Sequence, residues 1–597
     1  MFEKLSPHPN PLPKGEGIVE IKTCRHCEAK FEITEKDLEF YEKVSPVFDW
    51  KKYLIPCPTL CPDCRQQRRL SFRNERKLYK RKCDFSWKDI ISIYSPDKKY
   101  KVYDTEIWWS DKWEPLDYWK DFDFEKGFFE QFSELIKNVP FQNSFVTLDS
   151  ENSNYGNHIW KVKDCYLVSA CWNSEKCFYS SKIVSSNFVI DCLENNFIEN
   201  CFQCISCENC FLCFFTLNSN NCKNSYFLYD CENCDNCFAC HNLKNKSYCI
   251  KNISYSKEDY NAEILKIRNE AINLWWDFFK TIKSNSINKN LNIINSENCL
   301  WDKISNSKNC IYCFDAENCE DCKYSELVLV WKNIYDSFWA WDNLDLWYEI
   351  VDTWLTAILN CFLVVCHNCN YTFYSINCYN SDNLFGCIWL RNKQYCILNK
   401  QYTKEEYEKL VPKIIEHMMK VPLNKGESDE GAGGFEWWEF FPSYLSQFWY
   451  NETLAQEYFP LTKEDVSEKY LYDNWKQIFN WSEYEIPFPK VEKIIPAEKL
   501  PDDISKIPDD ILNWAIECEK TWKPFRIIKQ ELEFYRKHNL PIPRKHPDQR
   551  YLDRMALRNP RKLFERKCSK CWKDIKTTYS PDRKEIVYCE SCYEKDL

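Results

Sequence analysis

The stretch NCFQCISCENCFLC runs from Asn200 to Cys213 and places a cysteine at every third residue from 201 onward. This spacing matches neither the 3.6-residue period of a helix nor the two-residue period of a strand. The same phase holds for fifteen cysteines between positions 165 and 249, all at multiples of three. Independent placement would produce this with a chance on the order of 10^-7. The region is therefore a repeat built on triplets.

The residues around these cysteines indicate where each triplet position lies. Other members of the cysteine phase are mostly small or apolar, as at Val162, Val189 and Leu228, and the preceding position is often Asn or Asp, as at Asn209 and Asp230. Asn and Asp tolerate left-handed corners, and Cys is a compact apolar residue that suits a narrow interior. A repeat that cannot bury its own apolar side must stack on its neighbours. We therefore predict a β-solenoid with thiols inside and Asn or Asp at its corners.

A second, less regular array follows the first. The segment DNCFACHNLKNKSYCIKNISYSKEDY (235–260) matches DNLFGCIWLRNKQYCILNKQYTKEEY (382–407). Cysteines 310, 313, 319, 322 and 361 share one phase, whereas 366, 369, 378, 387 and 396 share another, which predicts a single slip. A helix is expected at the end of each array, and Thr403 and Glu406 are placed to form a capping box at the second one.

Metal binding by the central cysteines is the alternative to packing. Cysteines 204, 207, 210 and 213 approach the ferredoxin run C-x2-C-x2-C-x3-C-P, but the last gap is too short and no proline follows. The phase also continues through Val, Ile and Ser, which cannot bind a cluster. Packed thiols are therefore favoured over an iron–sulfur cluster or additional zinc.

The two ends of the chain carry copies of one module. CRHCEAKFEITEKDLEFYEK from position 24 resembles CEKTWKPFRIIKQELEFYRK from position 518, and the segments 81–104 and 566–589 also match. Each copy keeps one set of paired C-x2-C motifs: Cys24, Cys27, Cys61 and Cys64 in the first copy, and Cys568, Cys571, Cys589 and Cys592 in the second. Paired motifs of this kind supply the four thiolates of a tetrahedral zinc site, which has no open coordination position. We predict two structural zinc ions.

In each copy the other set of four metal-ligand positions has lost cysteines. The counterparts of the first set are Cys518, Thr521, His546 and Gln549, and those of the second are Cys83, Ser86, Asp104 and Ile107. Neither group can form the same four-thiolate site.

The first module, with its C-x2-C, a Phe-Tyr pair and a C-x2-C-R, resembles short bacterial zinc-ribbon domains. With IYSPD, FRNERKLY, WWSDKWEPLDYW and NETLAQEYFPLT, the whole chain resembles a family of large, uncharacterised Cys-rich proteins from uncultured, reduced-genome bacteria. Members are often labelled CaiB/BaiF family proteins, which implies a CoA-transferase. No residue constellation in this chain supports that activity.

A basic segment follows the cysteines in each module. Segment 65–82 has nine Lys or Arg and one acidic residue, and 544–567 has nine and three, although the chain's net charge is −10. The nucleic-acid hypothesis rests on these residues: Arg65, Arg68, Arg69, Arg73, Arg76, Lys77, Arg81, Arg550, Arg554, Arg558 and Arg561. The alternative is a helix face that pairs with the acidic remainder of the chain.

Tryptophan and glycine are present in unusual amounts. There are 9 glycines, against about 7 % in an average protein, and 25 tryptophans. Trp87 and Trp572 stand in cysteine-motif turns, where glycine is favoured. Our hypothesis is that many of these codons are UGA, which the native host translates as glycine.

Together these features predict a mostly β protein with accessory helices, in which two zinc-ribbon modules flank a duplicated Cys-rich β-solenoid. We expect a disordered tail (1–17), an N-terminal module (18–104), a helical linker (105–150), two arrays with capping helices (151–283 and 284–419), an irregular linker (420–517) and a C-terminal module (518–597).

No signal peptide or apolar run of eighteen residues is present, so we expect a cytoplasmic protein without membrane contact, with reduced thiols. The expected function is a zinc-binding scaffold that binds nucleic acid non-specifically. A protein-interaction scaffold is the first alternative, and an enzyme acting by thiol redox chemistry or CoA transfer is the second. No catalytic residues and no small-molecule substrate emerge from the sequence.

Overall fold

The computed structural model describes residues 17–273, 275–354, 357–421, 435–466, 479–488 and 490–596. The expected tail, apart from Gly17, and the NKGESDEGAGG segment (424–434) lie outside these residues. The chain divides into two compact units, each made of two separate stretches. Unit 1 comprises Met1–Asn143 and Asn292–Tyr484, and unit 2 comprises Ser144–Leu291 and Glu485–Leu597. The structure is mostly β and contains a β-solenoid of about 18 turns.

The helices, in chain order, are α1 Glu35–Val44, α2 Pro62–Leu70, α3 Thr105–Trp108, α4 Phe128–Asn138, α5 Lys257–Asn273, α6 Trp275–Asn285, α7 Lys404–Met418, α8 Leu454–Tyr458, α9 Lys529–His538, α10 Pro547–Met555 and α11 Glu590–Asp596. Thr403 caps α7, and Thr403 and Glu406 form the predicted capping box.

The strands before the first array are β1 Ile18–Thr23, β2 Lys30–Thr34, β3 Val47–Phe48, β4 Lys51–Lys52, β5 Tyr79–Lys82, β6 Asp89–Ser92, β7 Val102–Tyr103 and β8 Phe141–Gln142. They form two-stranded sheets, of which β1–β2, β3–β4 and β5–β6 are antiparallel and β7–β8 is parallel. The β7–β8 pair joins the end of the helical linker to the N-terminal module within unit 1.

The first array is built from β9 Gly156–Trp160, β10 Val168–Trp172, β11 Glu175–Phe178, β12 Ser181–Val184, β13 Asn187–Ile190, β14 Leu193–Asn196, β15 Glu199–Phe202, β16 Phe211–Phe214, β17 Lys223–Tyr226, β18 Asp235–Phe238, β19 Ser247–Ile250 and β20 Ile253–Ser254. Parallel pairing of Ser169 with Ser181 and of Cys237 with Cys249 sets a coil of 12 residues (181 − 169). The strand β21 Ile287–Lys289 follows the array.

Left-handed backbone turns occur at every third residue from His158 to Lys251. The predicted corner residues have this conformation, with φ of 51° at Asn200, 52° at Asn209 and 54° at Asp230. A coil of 12 residues therefore has four corners and four sides of three residues each. The prediction of a β-solenoid with Asn and Asp at its corners is confirmed.

The cysteines of the first array fill the interior of the coil, together with Val, Ile and Leu of the same phase. Their thiols also bond to the backbone: Cys204 Sγ lies 3.6 Å from the carbonyl of Phe202 and 3.3 Å from that of Cys213 in the next coil. The Cys204 N–H in turn donates to Cys192 Sγ, and the Cys192 N–H to Ser180 Oγ. Thiols and hydroxyls thus accept from buried backbone N–H groups that an aliphatic side chain at the same place would leave unpaired.

The second array is built from β22 Ile293–Ile294, β23 Leu300–Ser305, β24 Ile311–Lys323, β25 Glu326–Trp354, β26 Ala357–Val364, β27 His367–Ile376, β28 Tyr379–Phe385, β29 Gln394–Ile397 and β30 Lys400–Gln401. Its coils vary in length: Ile293 pairs with Ile304, a step of 11 residues, and Tyr348 pairs with Cys361, a step of 13.

The prediction of a single slip in the second array is wrong. Left-handed positions run through 333, 336 and 339, then through 346, 349 and 352, then through 359 and 362. Each gap of seven residues marks one inserted residue, so two insertions separate the two cysteine phases. Consequently Cys361 faces outward, where its Sγ lies 3.9 Å from the carbonyl of Val44 at the end of α1.

The remaining strands are β31 Ile494–Pro496, β32 Ala515–Glu517, β33 Pro524–Phe525, β34 Phe564–Lys567, β35 Asp574–Thr577 and β36 Ile586–Tyr588. Within unit 2, β36 pairs in parallel with β21. The expected irregular linker is divided between the units: α8 lies in unit 1, whereas β31 and β32 lie in unit 2.

Several tryptophans have a backbone conformation that favours glycine. Trp50, Trp87, Trp522 and Trp572 have φ between 59° and 64°, and their exposed fractions are 97, 73, 72 and 72 %. A bulky residue with positive φ is strained, and these side chains gain little burial in return. The backbone at these positions therefore suits glycine, in agreement with the recoding hypothesis.

We expect Trp87→Gly to raise the free energy of unfolding by about 1 kcal/mol, because relief of the left-handed strain exceeds the entropic cost of glycine. Trp119→Gly is the matched control in the same unit, since Trp119 is also exposed but has φ of −59°. Chemical denaturation followed by circular dichroism measures both. Equal destabilisation by the two substitutions would contradict the strain argument.

Candidate metal centres and the basic helices

The two predicted cysteine sets each converge on one point. Within the set of Cys24, Cys27, Cys61 and Cys64, and within the set of Cys568, Cys571, Cys589 and Cys592, all sulfur atoms lie within 4.8 Å of one another. The Sγ–Sγ distance is 3.6 Å between Cys27 and Cys61 and 3.7 Å between Cys571 and Cys589. Four thiolates at about 2.3 Å from a tetrahedral ion are separated by about 3.8 Å. Both sets fit a four-thiolate metal ion.

In the N-terminal set, a tight turn and a helix start supply the ligands. The turn is closed by the Glu28 N–H, which donates to the Cys24 carbonyl, and by the Cys24 N–H, which donates to the carbonyl of Ala29. Cys61 is the N-cap of α2, and Cys64 lies in its first turn. Helix N-termini favour negative charge, which suits thiolate ligands. Phe31, Ile33 and Leu60 pack around the sulfurs.

In the C-terminal set, Cys568 follows β34, and a turn closed by the Trp572 N–H donating to the Cys568 carbonyl leads past Cys571. Cys589 follows β36, and Cys592 lies in α11. Cys568 is buried, whereas Cys571 is exposed.

The surroundings of each set favour one thiolate by lowering the pKa of one thiol. The thiols of Cys27, Cys61 and Cys64 surround Cys24 and hold its pKa well below the ordinary value. Burial opposes ionisation of Cys568, but backbone N–H groups at Cys571 and Cys589 outweigh it and lower its pKa to about 6. Both clusters are therefore prepared to bind a cation.

The N-terminal module has no four-thiolate set at the positions that correspond to the C-terminal set. Hydrogen bonds connect the side chains at these positions instead. Cys83 Sγ accepts from the backbone N–H groups of Ser86 and Asp104, both at 3.3 Å. The Ser86 hydroxyl donates to the Asp104 carboxylate at 2.8 Å. The fold of this turn is thus maintained by side-chain and backbone polar contacts.

The other broken group also forms local contacts. The Trp522 N–H donates to the Cys518 carbonyl, His546 caps α10, and the Gln549 amide donates to Asp553. Thr521 belongs to the same turn. The N-terminus of α10 is therefore held without a four-thiolate set.

The central cysteines do not form such a set. Among the residues that the structure describes, only the two terminal groups bring three or more potential ligands together. The thiols from 201 to 213 bond instead to backbone carbonyls of their own and the next coil, as at Cys207 and Cys210. Packing, as favoured from the sequence, describes this run. Cys57 packs beside the N-terminal set, and burial raises the pKa of its thiol.

The arginines of α2, together with Arg73 shortly after the helix, lie in buried ion pairs within unit 1. Arg65 and Arg69 both bind Asp336, at 2.9 and 3.1 Å, and Arg69 also binds Glu349. The carboxylates of Glu349 and Glu439 bind Arg68, and those of Glu75 and Asp352 bind Arg73. Burial disfavours the charge on Arg65, but the Asp336 carboxylate outweighs it and raises the guanidinium pKa.

The arginines of α10, together with Arg558 shortly after the helix, form an equivalent cluster in unit 2. Arg550 and Arg554 bind the two oxygens of Asp191, at 2.5 and 2.8 Å, and all three side chains are buried. Arg550 also pairs with Glu531, and Arg558 pairs with Glu194 at 3.0 Å.

The two clusters are copies of each other. Arg65, Arg69 and Arg73 precede Arg550, Arg554 and Arg558 by the same 485 residues (550 − 65). In each unit the carboxylate stands at a left-handed corner of the solenoid, at Asp336 or Asp191. In each unit a tyrosine one coil earlier stacks under an arginine: Tyr324 under Arg65 and Tyr179 under Arg550. We call each arrangement an arginine clamp.

Because of the clamps, six of the arginines predicted to bind nucleic acid are instead buried in ion pairs. Arg65, Arg68, Arg69, Arg73, Arg550 and Arg554 are between 1 and 8 % exposed and are paired with carboxylates, so phosphate cannot reach them in this structure. Arg76, Lys77, Arg81, Arg558 and Arg561 are half-buried. Arg81 pairs with Asp84 at 3.0 Å.

The acidic partners Asp191, Asp336 and Glu349 were missed by the sequence analysis. One signal was available, because the arginines recur at steps of four residues in both copies, which places them on one helix face. The sequence does not distinguish an acidic corner residue that pairs with these arginines from an ordinary acidic residue at a turn.

A comparison of the chain with known protein families, curated proteins and solved structures found no match. In the part of the chain that the structure describes, no helix has both the length and the apolar character needed to cross a bilayer.

We expect two metal ions per chain, and elemental analysis by mass spectrometry measures them. Cys61→Ala should leave one ion, because it removes a ligand from the N-terminal set. Cys204→Ala should leave both ions and lower the unfolding free energy by about 1–2 kcal/mol through the lost packing. Iron, sulfide or a lost ion in the Cys204 variant would contradict the packing role.

We expect Arg554→Met to lower the free energy of unfolding by about 3–5 kcal/mol, because it leaves the buried Asp191 carboxylate short of a partner. The control Lys567→Met removes an exposed cation of the same module and should change stability by less than about 0.5 kcal/mol. Urea denaturation measures both. Similar values for the two variants would show that the clamp contributes little.

Proposed function

We propose that the protein is a zinc-stabilised scaffold whose two β-solenoids bind partner proteins through their exposed sides. The distribution of exposed surface on each array carries this proposal. One pair of sides packs against the module of the same unit, as Phe202 packs on Tyr535 in unit 2 and Tyr348 on Tyr41 in unit 1. In the first array the other two sides face solvent. In the second array one of them is partly covered, because Tyr379 and Arg391 pack against Trp108 of the linker.

The exposed surface of the first array is mostly polar and regular. One side carries Asn196, Glu208, Asn220 and Glu232, and the adjoining corner carries Asn209, Asn221 and Asn233 after Phe197, which is 54 % exposed. Such repeated polar side chains at constant spacing give an extended binding surface, which is how solenoid proteins engage partners.

An apolar spot interrupts this surface at the same place in both arrays. Phe211 is 37 % exposed beside the half-buried Leu212, and Ile358 is 46 % exposed beside the half-buried Leu359. These positions are equivalent by the 147-residue offset between the arrays (358 − 211). Large apolar residues surrounded by polar ones are typical of the centre of a protein interface. Two equivalent spots suggest a partner that binds both arrays alike.

Zinc is the ion proposed for both cysteine sets. Four thiolates at these separations suit tetrahedral Zn²⁺, which would fix the N-terminus of α2 in unit 1 and join β34 to α11 in unit 2. Such closed sites stabilise structure and offer no position to a substrate. We infer zinc-ribbon character for both modules on this basis.

Nucleic acid is the second candidate partner. The half-buried basic residues named above, with exposed lysines such as Lys82 and Lys567, support weak electrostatic binding. The buried clamps and the net charge of −10 weigh against it.

The test places a photo-crosslinking amino acid at Phe211 or Ile358 in the full-length protein, with Leu265, an exposed apolar residue on α5, as the control position. We expect a defined protein adduct from the first two positions only. Binding of the purified adduct partner should weaken about tenfold or more in Phe211→Asp and Ile358→Asp.

Fluorescence anisotropy with single-stranded DNA and RNA, between about 50 and 200 mM salt, tests the other candidate. Strong salt-dependent binding together with no specific adduct would replace the protein-scaffold proposal by the nucleic-acid one.

A further inference from the structure

The two cysteine sets differ in their access to solvent. Cys24, Cys61 and Cys64 are between 1 and 6 % exposed, and Cys27 is half-buried among Phe31, Ile33 and Leu60. In the C-terminal set Cys571 is exposed, next to Trp572, which is itself 72 % exposed. A dissolved oxidant can therefore reach a sulfur of the C-terminal set most readily, since oxidation of thiolates follows their exposure.

The C-terminal set also holds a docking contact. We call Phe564–Asp596 the C-terminal ribbon. Its strand β36, directly before Cys589, pairs with β21, and the Asn290 N–H donates to the carbonyl of Tyr588. Glu590, which lies between Cys589 and Cys592, pairs with Lys289 at 2.8 Å. The hydroxyl of Tyr593, directly after Cys592, donates to Asp230 at 2.6 Å.

A second polar contact holds the same ribbon. The hydroxyl of Tyr579 donates to the side-chain oxygen of Asn288 at 2.9 Å, and the hydroxyl of Tyr229 in the first array donates to the same atom at 2.6 Å. The residues that bind metal and the residues that dock are thus neighbours in sequence. Cys589 lies directly between β36 and α11, so a shift of its backbone moves one of these two elements.

We propose that the C-terminal cysteine set is a redox switch, in which a hydroperoxide joins Cys571 to Cys589 and thereby releases the C-terminal ribbon from the first array. The proposal rests on the metal binding proposed above. It concerns the ribbon alone, because α10 and its arginine clamp do not depend on this set.

Peroxide oxidises the two thiolates in two successive substitution steps. The Cys571 thiolate attacks one peroxide oxygen, the S–O bond forms, the O–O bond breaks, and the leaving hydroxide takes up a proton. The Cys589 thiolate, 3.7 Å away, then attacks the Cys571 sulfur, the S–S bond forms, the S–O bond breaks, and a second hydroxide takes up a proton. Two thiolates, one hydrogen peroxide and two protons give one disulfide and two waters.

After this step only Cys568 and Cys592 keep thiolate ligands, which is too few for a closed four-coordinate site. The shortened distance between Cys571 and Cys589 also pulls the turn before β35 towards the end of β36. The pairing of β36 with β21 and the bond from Tyr593 to Asp230 are then lost together. A thiol reductant reverses the reaction.

The experiment uses the full-length, zinc-loaded protein, whose metal content is measured first. Hydrogen peroxide is added in steps, released zinc is followed with a chromogenic chelator, disulfides are mapped by peptide mass spectrometry, and hydrogen exchange reports on local structure. We expect release of the first ion to coincide with a Cys571–Cys589 disulfide. Exchange should then rise at 287–290 and 586–593 but not at 62–70, where the N-terminal set holds α2.

Two variants separate docking from oxidation. Tyr593→Phe removes the bond to Asp230 and should raise exchange at 586–593 before any peroxide is added. Cys57→Ser removes a thiol that lies outside both sets and should leave zinc release and disulfide formation unchanged. Dithiothreitol and zinc should restore the protection of 287–290.

Three results would overturn the switch while leaving the scaffold proposal intact: loss of both ions in parallel, a disulfide between other cysteines, or unchanged exchange at 287–290 after oxidation. Absence of zinc before peroxide is added would overturn the proposed metal binding and the switch together.

Discussion

The left-handed turn at every third residue is the constraint on which both units depend. It sets a side of three residues and a coil of 12, so one residue in three must face a narrow interior. That narrow interior is filled mostly by Cys, Ser, Val, Ile and Leu in the first array. Backbone N–H groups that point inward also need partners. The thiol meets both requirements, because it is small, apolar and a weak hydrogen-bond donor and acceptor. The abundance of cysteine is thereby explained without metal.

Each arginine clamp joins a module to the solenoid array that is farther from it in the sequence. The N-terminal module packs with the second array in unit 1, and the C-terminal module packs with the first array in unit 2. The clamp residues are equivalent: Asp191 and Asp336 are 145 residues apart, and the two insertions in the second array extend this to the 147 that separates 235 from 382. The same interface between module and solenoid therefore occurs twice, with opposite chain order.

The two cysteine sets lie at different places relative to the clamp helix of their unit. In unit 1 the set lies at the start of α2, which carries Arg65 and Arg69 of the clamp, so the candidate metal site and the clamp share one helix. In unit 2 the clamp helix α10 begins without a four-thiolate set, and the surviving set holds only the terminal ribbon. One candidate metal set thus lies beside the main interface of its unit, whereas the other lies beside a peripheral contact.

The sequence by itself determined the solenoid, its corners, the capping helices and both cysteine sets, because each depends on spacing within a short stretch of chain. The tertiary structure alone decided the role of the basic helices. Arg65 meets Asp336 across 271 residues, and neither local charge nor periodicity distinguishes a buried arginine with such a partner from an exposed one that binds phosphate. It also decided the position of Cys361, since two single-residue insertions change which side of the coil a residue faces without altering the composition around it.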